Sequence, residues 1–453
     1  MDSNHQSRFL SKDSKSEKNS KRKWILIATV PIFMIALLQR LITIDRLRNV
    51  VKKMPGYYEI ADLDRNITEM IQSRGFQFEQ HFIENEQGYI LQLIRIVNPF
   101  HKDRNRLKPI LLHHGFQGSG SAWLINRNGH LDQDGNYLEY DENFETILSD
   151  SRKEIGNSLG FVLAQKNFDV WLANYRGNFY STNHTRLNVN DEEFWQFSVD
   201  DLVHYDYPVM IDYILEKTKR STLQYIGHSQ GSLMMLMLMS SNDHYANKIK
   251  PFVALSPVFY GKIELTIFRY LKRIKSLLIR FPGRFVYEEN LNRFIATLCS
   301  NRYVTNFCLF LSNHFAGGVA ENIDVNRIPV YFQHLTMGSS RLNAAHLSQN
   351  VEEERSFRYF DFGLEKNLQI YNQSEPIEYD LSRVNQTDIA ILFTRYDVFC
   401  SMENNEKIRE TLKEKIIEYY EIEDESYDHT DLLWAKETGK LVNEKIIKIL
   451  ARY

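Results

Sequence analysis

The strongest constraint on the fold is an alternation of short apolar runs with segments of helical pattern. The apolar runs are "PILLHHG", "FDVWLANYRG", "TLQYIGHS", "FVALSP" and "DIAILFTRYD", between residues 109 and 397. Runs that are apolar throughout are typical of strands in a parallel sheet that is covered on both faces. The alternation therefore predicts an α/β fold with a mainly parallel central sheet. Upstream, "GFQFEQHFIENEQGYILQLIRI" predicts an antiparallel hairpin at the sheet edge.

The alternation is interrupted between residues 260 and 385. The segments "LTIFRYLKRIKSLLIRF" and "LNRFIATLCSNRYVTNFCLFLSNHF" have helical patterns, and a loop-rich piece ending "SEPIEYDLSRV" follows them. We interpret residues 260–385 as a mostly helical cap, which divides the core into residues 55–259 and 386–453. A polar and acidic stretch at residues 126–156 predicts a surface insertion between two core elements.

The N-terminus predicts a membrane anchor. Residues 1–23 form a polar, basic leader, and the apolar run "WILIATVPIFMIALL" follows it and continues as "QRLITI". The leader is long for a secretory signal, and no small-x-small cleavage motif follows, so we predict an uncleaved transmembrane signal-anchor over residues 24–44. If the segment is cleaved instead, the protein is secreted. Basic residues flank the run on both sides and leave its orientation open.

Four glycosylation sequons favour a catalytic body in the lumen of the secretory pathway or outside the cell. They begin at Asn66, Asn183, Asn372 and Asn385.

Charge and cysteine content exclude several classes of protein. The net charge of -3 gives no electrostatic reason to expect a nucleic-acid partner. Three cysteines are too few for a disulfide-built scaffold, and without a C-x-x-C pair we predict no metal site. Cys299 and Cys308 are close enough in sequence for one local bridge, which would leave Cys400 free.

Ser229 lies in the motif Gly227-x-Ser229-x-Gly231, between a β-prone run and a methionine-rich helical run. This context is that of a nucleophile elbow, where Gly227 and Gly231 are needed because a side chain would collide with the neighbouring strand or helix. The alternative is an ordinary turn serine between two buried segments. We predict that Ser229 is a nucleophile.

A serine hydroxyl needs a base to remove its proton, and an acid to orient that base. In this architecture the acid and then the histidine follow the serine along the chain. His429 in the polar loop "SYDHTDLLWA" is the candidate base, and Asp397 directly after "IAILFT" is the candidate acid. Asp428 and Asp431 are nearer to His429 in sequence, but the orienting acid must approach the imidazole from across the site.

Stabilising the oxyanion requires two backbone N–H donors. One belongs to the residue after the nucleophile, Gln230, and the other to a loop that follows an earlier strand. Since "PILLHHGF" supplies such a strand, we predict Phe116 as the second donor.

Several separated segments resemble the acid lipases, the family of gastric and lysosomal acid lipases and steryl ester hydrolases. They are "HHGF", "DVWLANYRGN", "FWQFSVDDLVHYDYPVMIDYI", "GHSQG", "FRYFDFGLEKNLQIYNQSEPIEYDL" and "YDHTDLLWA". The resemblance covers residues 58–450 and implies an α/β-hydrolase core with a cap. It also implies a disulfide between Cys299 and Cys308, and the roles given above for the three triad residues and the two oxyanion donors.

The resemblance implies a serine carboxylic ester hydrolase that uses no metal or organic cofactor. Its expected substrate is a neutral lipid, triacylglycerol or sterol ester, and its expected working surface is a membrane or lipid droplet. Two alternatives remain open: a catalytically inactive, membrane-tethered lipid-binding protein, and an acyltransferase on the same fold.

Overall fold

The computed structural model describes residues 44–259, 266–285, 288–316, 321–350 and 357–453. The chain divides into two compact units, residues 1–57 and 58–453. The described part of the first unit contains helix α1 (Ile44–Val51). The predicted leader and anchor, residues 1–44, lie outside the described residues except for Ile44. Within the described ranges, no helix combines the length and apolarity needed to cross a bilayer.

The larger unit contains fourteen strands among its described residues. In chain order they are β1 (Gln77–Glu84), β2 (Tyr89–Val97), β3 (Lys108–His113), β4 (Asn128–Leu131), β5 (Tyr137–Tyr140), β6 (Ile147–Asp150), β7 (Phe168–Asn174), β8 (Asn183–His184), β9 (Leu223–His228), β10 (Ile249–Leu255), β11 (Arg284–Phe285), β12 (Ser339–Ser340), β13 (Ile389–Thr394) and β14 (Ile416–Ile422).

Nine of these strands form the central sheet, in the order β1-β2-β7-β3-β9-β10-β13-β14, with β8 paired to β2. Strands β1 and β2 form the expected antiparallel hairpin, and β7 pairs antiparallel with β2. From β7 to β14 all neighbouring strands are parallel. The prediction of an α/β fold with a mainly parallel sheet is therefore confirmed.

Helices cover both faces of the sheet. In chain order, the described helices after α1 are α2 (Ile67–Ser73), α3 (Leu159–Gln165), α4 (Val199–Asp201), α5 (Tyr207–Thr218), α6 (Gln230–Ser241), α7 (Asp243–Ala246), α8 (Thr266–Arg280), α9 (Glu289–Cys299), α10 (Thr305–Ala316), α11 (Ile328–Leu335), α12 (Arg341–Asn350), α13 (Leu364–Tyr371), α14 (Met402–Leu412), α15 (Asp431–Trp434) and α16 (Glu444–Leu450). The two faces carry separate apolar clusters, one of which contains the methionines of α6. Both faces of β3, β7, β9 and β13 are consequently buried.

The described residues between β10 and β13 are mostly helical. That this segment forms a cap stays a prediction, and we keep the name cap for it. A disulfide joins Cys299 at the end of α9 to Cys308 in α10, with an S–S distance of 2.04 Å. The piece predicted as loop-rich also contains three helices, α11, α12 and α13, which the sequence reading did not predict. Helix α12 buries asparagine, alanine, histidine and serine side chains, so it lacks the apolar periodicity from which a helix is predicted.

The acidic stretch at residues 126–156 is not simply a surface insertion. Its strands β4, β5 and β6 form a separate antiparallel sheet, and Glu139 of β5 is fully buried. The Glu139 carboxyl accepts hydrogen bonds from the N–H groups of Asn157 and Ser158, at 2.8 Å. Burial raises the pKa of Glu139 despite these donors. An acidic residue can therefore enter the interior here because the backbone satisfies it.

Candidate active site

Ser229 occupies a sharp turn between β9 and α6. Its backbone is in an unusual conformation for a residue with a side chain, with φ 53° and ψ −119°. A Cβ atom at Gly227 would lie 2.6 Å from the Ser232 nitrogen, and one at Gly231 would lie 2.5 Å from the His113 carbonyl oxygen. The turn therefore requires glycine at both positions, and it leaves the Ser229 side chain half-buried between the strand and the helix.

Asp397 and His429 lie together although 32 residues separate them. Asp397 follows β13, and His429 belongs to the loop between β14 and α15. The imidazole Nδ1–H donates to both Asp397 carboxylate oxygens, at 2.8 Å and 3.0 Å. This hydrogen bond places the proton on Nδ1, so Nε2 of a neutral imidazole has a lone pair available to accept a proton.

The Asp397 carboxylate is held in its ionised form. Burial opposes ionisation, but the charge and hydrogen bond of His429 prevail and lower the pKa of Asp397 below its usual value. Its Oδ1 atom also accepts the N–H groups of Phe399 at 2.8 Å and Cys400 at 2.9 Å. The backbone therefore holds Oδ1 in place, and Oδ2 is the oxygen nearer to the imidazole Nδ1.

His429 is held beside the residue that precedes Ser229. The His228 ring lies 4.7 Å from the His429 ring, and His228 Nε2 is 3.1 Å from the His429 carbonyl oxygen. Burial, with repulsion from His429, lowers the pKa of His228 to about 3. A neutral His228 donating through Nε2 thus fastens the His429 loop to the end of β9.

Asp428 is adjacent to His429 in sequence, but its carboxylate binds backbone groups. Its Oδ1 atom accepts the N–H of Val398 at 2.9 Å and the N–H of His429 at 2.6 Å. It therefore joins the loop that carries Asp397 to the loop that carries His429, through backbone groups. Sequence reasoning missed this bridge and that of His228, since both depend on contacts between distant segments.

The loop after β3 lies against Ser229. A Cβ atom at Gly115 would be only 3.1 Å from the Ser229 Cβ, so glycine permits the close approach of this loop. His114 Nδ1 donates to the Gly115 carbonyl oxygen at 2.8 Å, and burial lowers the pKa of His114 to about 4. The neutral imidazole is therefore hydrogen-bonded to the peptide group between Gly115 and Phe116, which includes the Phe116 N–H. Phe116 and Gln230 thus lie on the two segments that meet at Ser229.

The sequence is similar to known lipases over most of its length. Residues 67–127 match a family described as a partial alpha/beta-hydrolase lipase region, and residues 108–272 match the alpha/beta hydrolase fold. The gastric triacylglycerol lipase of Bos taurus is 31% identical over 395 residues, which cover 85% of this chain and 91% of that protein. The chain belongs to the acid lipase family.

Other relatives also match most of the chain. The lysosomal acid lipase/cholesteryl ester hydrolase of Macaca fascicularis is 30% identical over 414 residues, covering 86% of this chain and 92% of that protein. Lipase member M of Homo sapiens is 29% identical over 439 residues, covering 95% of each chain. The α/β-hydrolase fold of this acid lipase family member is therefore supported by sequence and by the observed sheet.

Proposed function

We propose that this acid lipase family member is a serine carboxylic ester hydrolase that acts on neutral lipids. The observation that carries the proposal is the buried His429–Asp397 pair, with Nδ1 to Oδ2 at 2.8 Å, held beside His228 at the end of the strand that precedes Ser229. Ser229 is the proposed nucleophile, His429 the base and Asp397 the acid. The N–H groups of Phe116 and Gln230 are the proposed oxyanion donors.

In the proposed mechanism, Ser229 Oγ attacks the ester carbonyl carbon while His429 Nε2 takes the hydroxyl proton. The carbonyl oxygen becomes an oxyanion and accepts hydrogen bonds from the two backbone donors. The tetrahedral intermediate then collapses, and the alcohol leaves with the proton from His429. Water repeats the attack on the acyl-enzyme, which releases the fatty acid and restores Ser229. Asp397 stabilises the imidazolium in both halves of the reaction.

A neutral lipid is supported as substrate by the apolar surroundings of the site. The Phe116 side chain packs against a cluster formed by cap residues, and its ring lies 5.7 Å from that of Phe285. Apolar clefts with few polar groups suit long acyl chains. The relatives named above include a triacylglycerol lipase and a cholesteryl ester hydrolase.

The secretory pathway is the proposed location. The Cys299–Cys308 disulfide supports it, since such bonds persist in oxidising compartments. The signal-anchor over residues 24–44 remains a prediction.

The test is hydrolysis of trioleoylglycerol, cholesteryl oleate and a short-chain ester by the full chain and by Ser229→Ala, at acid and neutral pH. We expect hydrolysis by the wild type and its loss in the variant, with unchanged thermal unfolding. A folded wild type that binds these lipids without hydrolysing them would favour the inactive lipid-binding protein. Transfer of the acyl group to an added alcohol in preference to water would favour the acyltransferase.

A further inference from the structure

The cap segment 337–343 forms hydrogen bonds with both segments that carry the proposed oxyanion donors. From the first of them, the start of α6, the Gln230 side-chain Nε2 donates to Asn343 Oδ1 of helix α12 at 2.7 Å. Both side chains are buried, and 113 residues separate them. The residue whose backbone N–H is proposed to bind the oxyanion is therefore attached, through its side chain, to the cap.

Asn343 is itself held in one orientation. Its Nδ2 donates to Ser339 Oγ at 2.7 Å, and its backbone N–H donates to Ser340 Oγ at 2.9 Å. Ser340 Oγ in turn donates to the Phe197 carbonyl oxygen in the core. With Nδ2 directed to Ser339, the carbonyl oxygen of the Asn343 amide faces Gln230.

The second segment, the loop after β3, is held by the same cap segment. The Met337 N–H donates to the Gln117 carbonyl oxygen at 2.6 Å. The Gln117 N–H donates to the Tyr175 hydroxyl at 3.0 Å, and this hydroxyl also interacts with the Ser339 side chain. Gln117 has a φ of 57°, a conformation that is costly for a residue with a side chain and needs such support.

These contacts connect the half-buried Gln117 to Gln230 through the buried side chains of Tyr175, Ser339 and Asn343. An oxyanion site acts only if its donors lie about 2.7–3.1 Å from the position of the developing charge. A path that connects the two donor-bearing segments fixes the distance between them.

We propose that the cap segment 337–343 is part of the oxyanion site and that Asn343 is a positioning residue for the Gln230 N–H. This inference rests on the proposed function. It implies that segment 337–343 stays against the core during the reaction, whichever part of the cap admits the lipid.

The test uses the full chain and a soluble short-chain p-nitrophenyl ester, so that binding to a lipid surface does not enter the measurement. The variants are Asn343→Leu, Gln230→Met and the double variant, since leucine and methionine preserve size and remove the hydrogen bond. The control is Asn350→Leu, on the same helix. Asn350 accepts the Arg358 N–H at 2.7 Å and donates to the His346 carbonyl oxygen, and these contacts lie within the cap.

We expect Asn343→Leu to lower kcat by about 10- to 100-fold, because small displacements of catalytic groups have effects of that size. KM should change by less than about threefold, as for an interaction that acts in the transition state. The double variant should lose no more than the more impaired single variant. Thermal unfolding identifies variants that fail to fold. If Asn343→Leu fails to fold, the kcat of Gln230→Met alone decides whether the proposal stands.

The proposal is overturned if Asn343→Leu and Gln230→Met keep kcat within about twofold of the wild type, or if the control loses as much kcat as Asn343→Leu. It is also overturned if the losses add in the double variant. A wild type without esterase activity would instead refute the proposed function, before any variant is compared.

Discussion

Replacement of Asp397 by asparagine tests the triad most directly, because the structure dictates how the amide must sit. Oδ1 accepts the N–H groups of Phe399 and Cys400, so the amide oxygen must occupy that position. The amide nitrogen then takes the place of Oδ2, 2.8 Å from His429 Nδ1. An amide N–H at this nearer position needs an unprotonated Nδ1 as its acceptor, so we expect His429 to carry its proton on Nε2, where it cannot accept one from Ser229.

The expected loss in kcat for this wrong tautomer is about 10⁴-fold, or roughly 5.5 kcal/mol of transition-state stabilisation. The assay is kcat on a soluble ester, with thermal unfolding as the check on folding. Asp428→Asn is the matched control: it changes a buried carboxyl next to His429 whose Oδ1 accepts backbone N–H groups only. We expect the control to lose less than about tenfold. Equal losses, or a loss below tenfold for Asp397→Asn, would refute the assignment of the acid.

Three further predictions concern the turn, the cap and the response to acid. Gly231→Ala should lower both melting temperature and kcat, because its Cβ would lie 2.5 Å from the His113 carbonyl oxygen; values equal to wild type would contradict the elbow geometry. Removing the disulfide with Cys299→Ala and Cys308→Ala should cost about 3 kcal/mol in unfolding free energy by the loop-entropy relation, measured by denaturant titration. No change would show that the bridge does not stabilise the fold. Because burial lowers the pKa of His114 to about 4, the unfolded chain takes up this proton first as pH falls. Stability should therefore decrease from about pH 6.5 to about pH 4, by about 3 kcal/mol for this residue. His114→Asn should flatten the decrease in melting temperature, and an identical pH profile would count against a neutral buried imidazole.

The sheet could be predicted because its strands are uniformly apolar. A strand such as β7 is buried at every position, and such a strand appears in the sequence as a continuous apolar run. The sharp turn at Ser229 could also be predicted from the sequence, because the spacing of Gly227 and Gly231 reflects a steric requirement. For Asp397 and His429, the order of elements along the chain supplied the prediction, and the structure brings the two side chains into contact.

The second half of the cap could not be predicted in this way. Helix α12 packs through Asn343, Ala344, Ala345 and His346, and a buried asparagine in a sequence reads as a surface or turn residue. Asn343 is buried because Gln230 and Ser339 satisfy its amide. Gln230 lies 113 residues from Asn343 in the sequence, so it becomes a partner of Asn343 only in the folded chain.

The acidic stretch at residues 126–156 shows how such a buried polar group can serve the site at a distance. Glu139 holds the backbone N–H and the side-chain amide of Asn157, and the Asn157 Oδ1 atom accepts the Gly439 N–H at 2.8 Å. The Asn443 amide donates back to the Asn157 carbonyl oxygen at 3.0 Å. Gly439 and Asn443 belong to the segment after α15, the helix that begins two residues beyond His429. A carboxyl that is costly to bury thus holds, through Asn157, the segment that follows α15, while the loop of the proposed base precedes that helix.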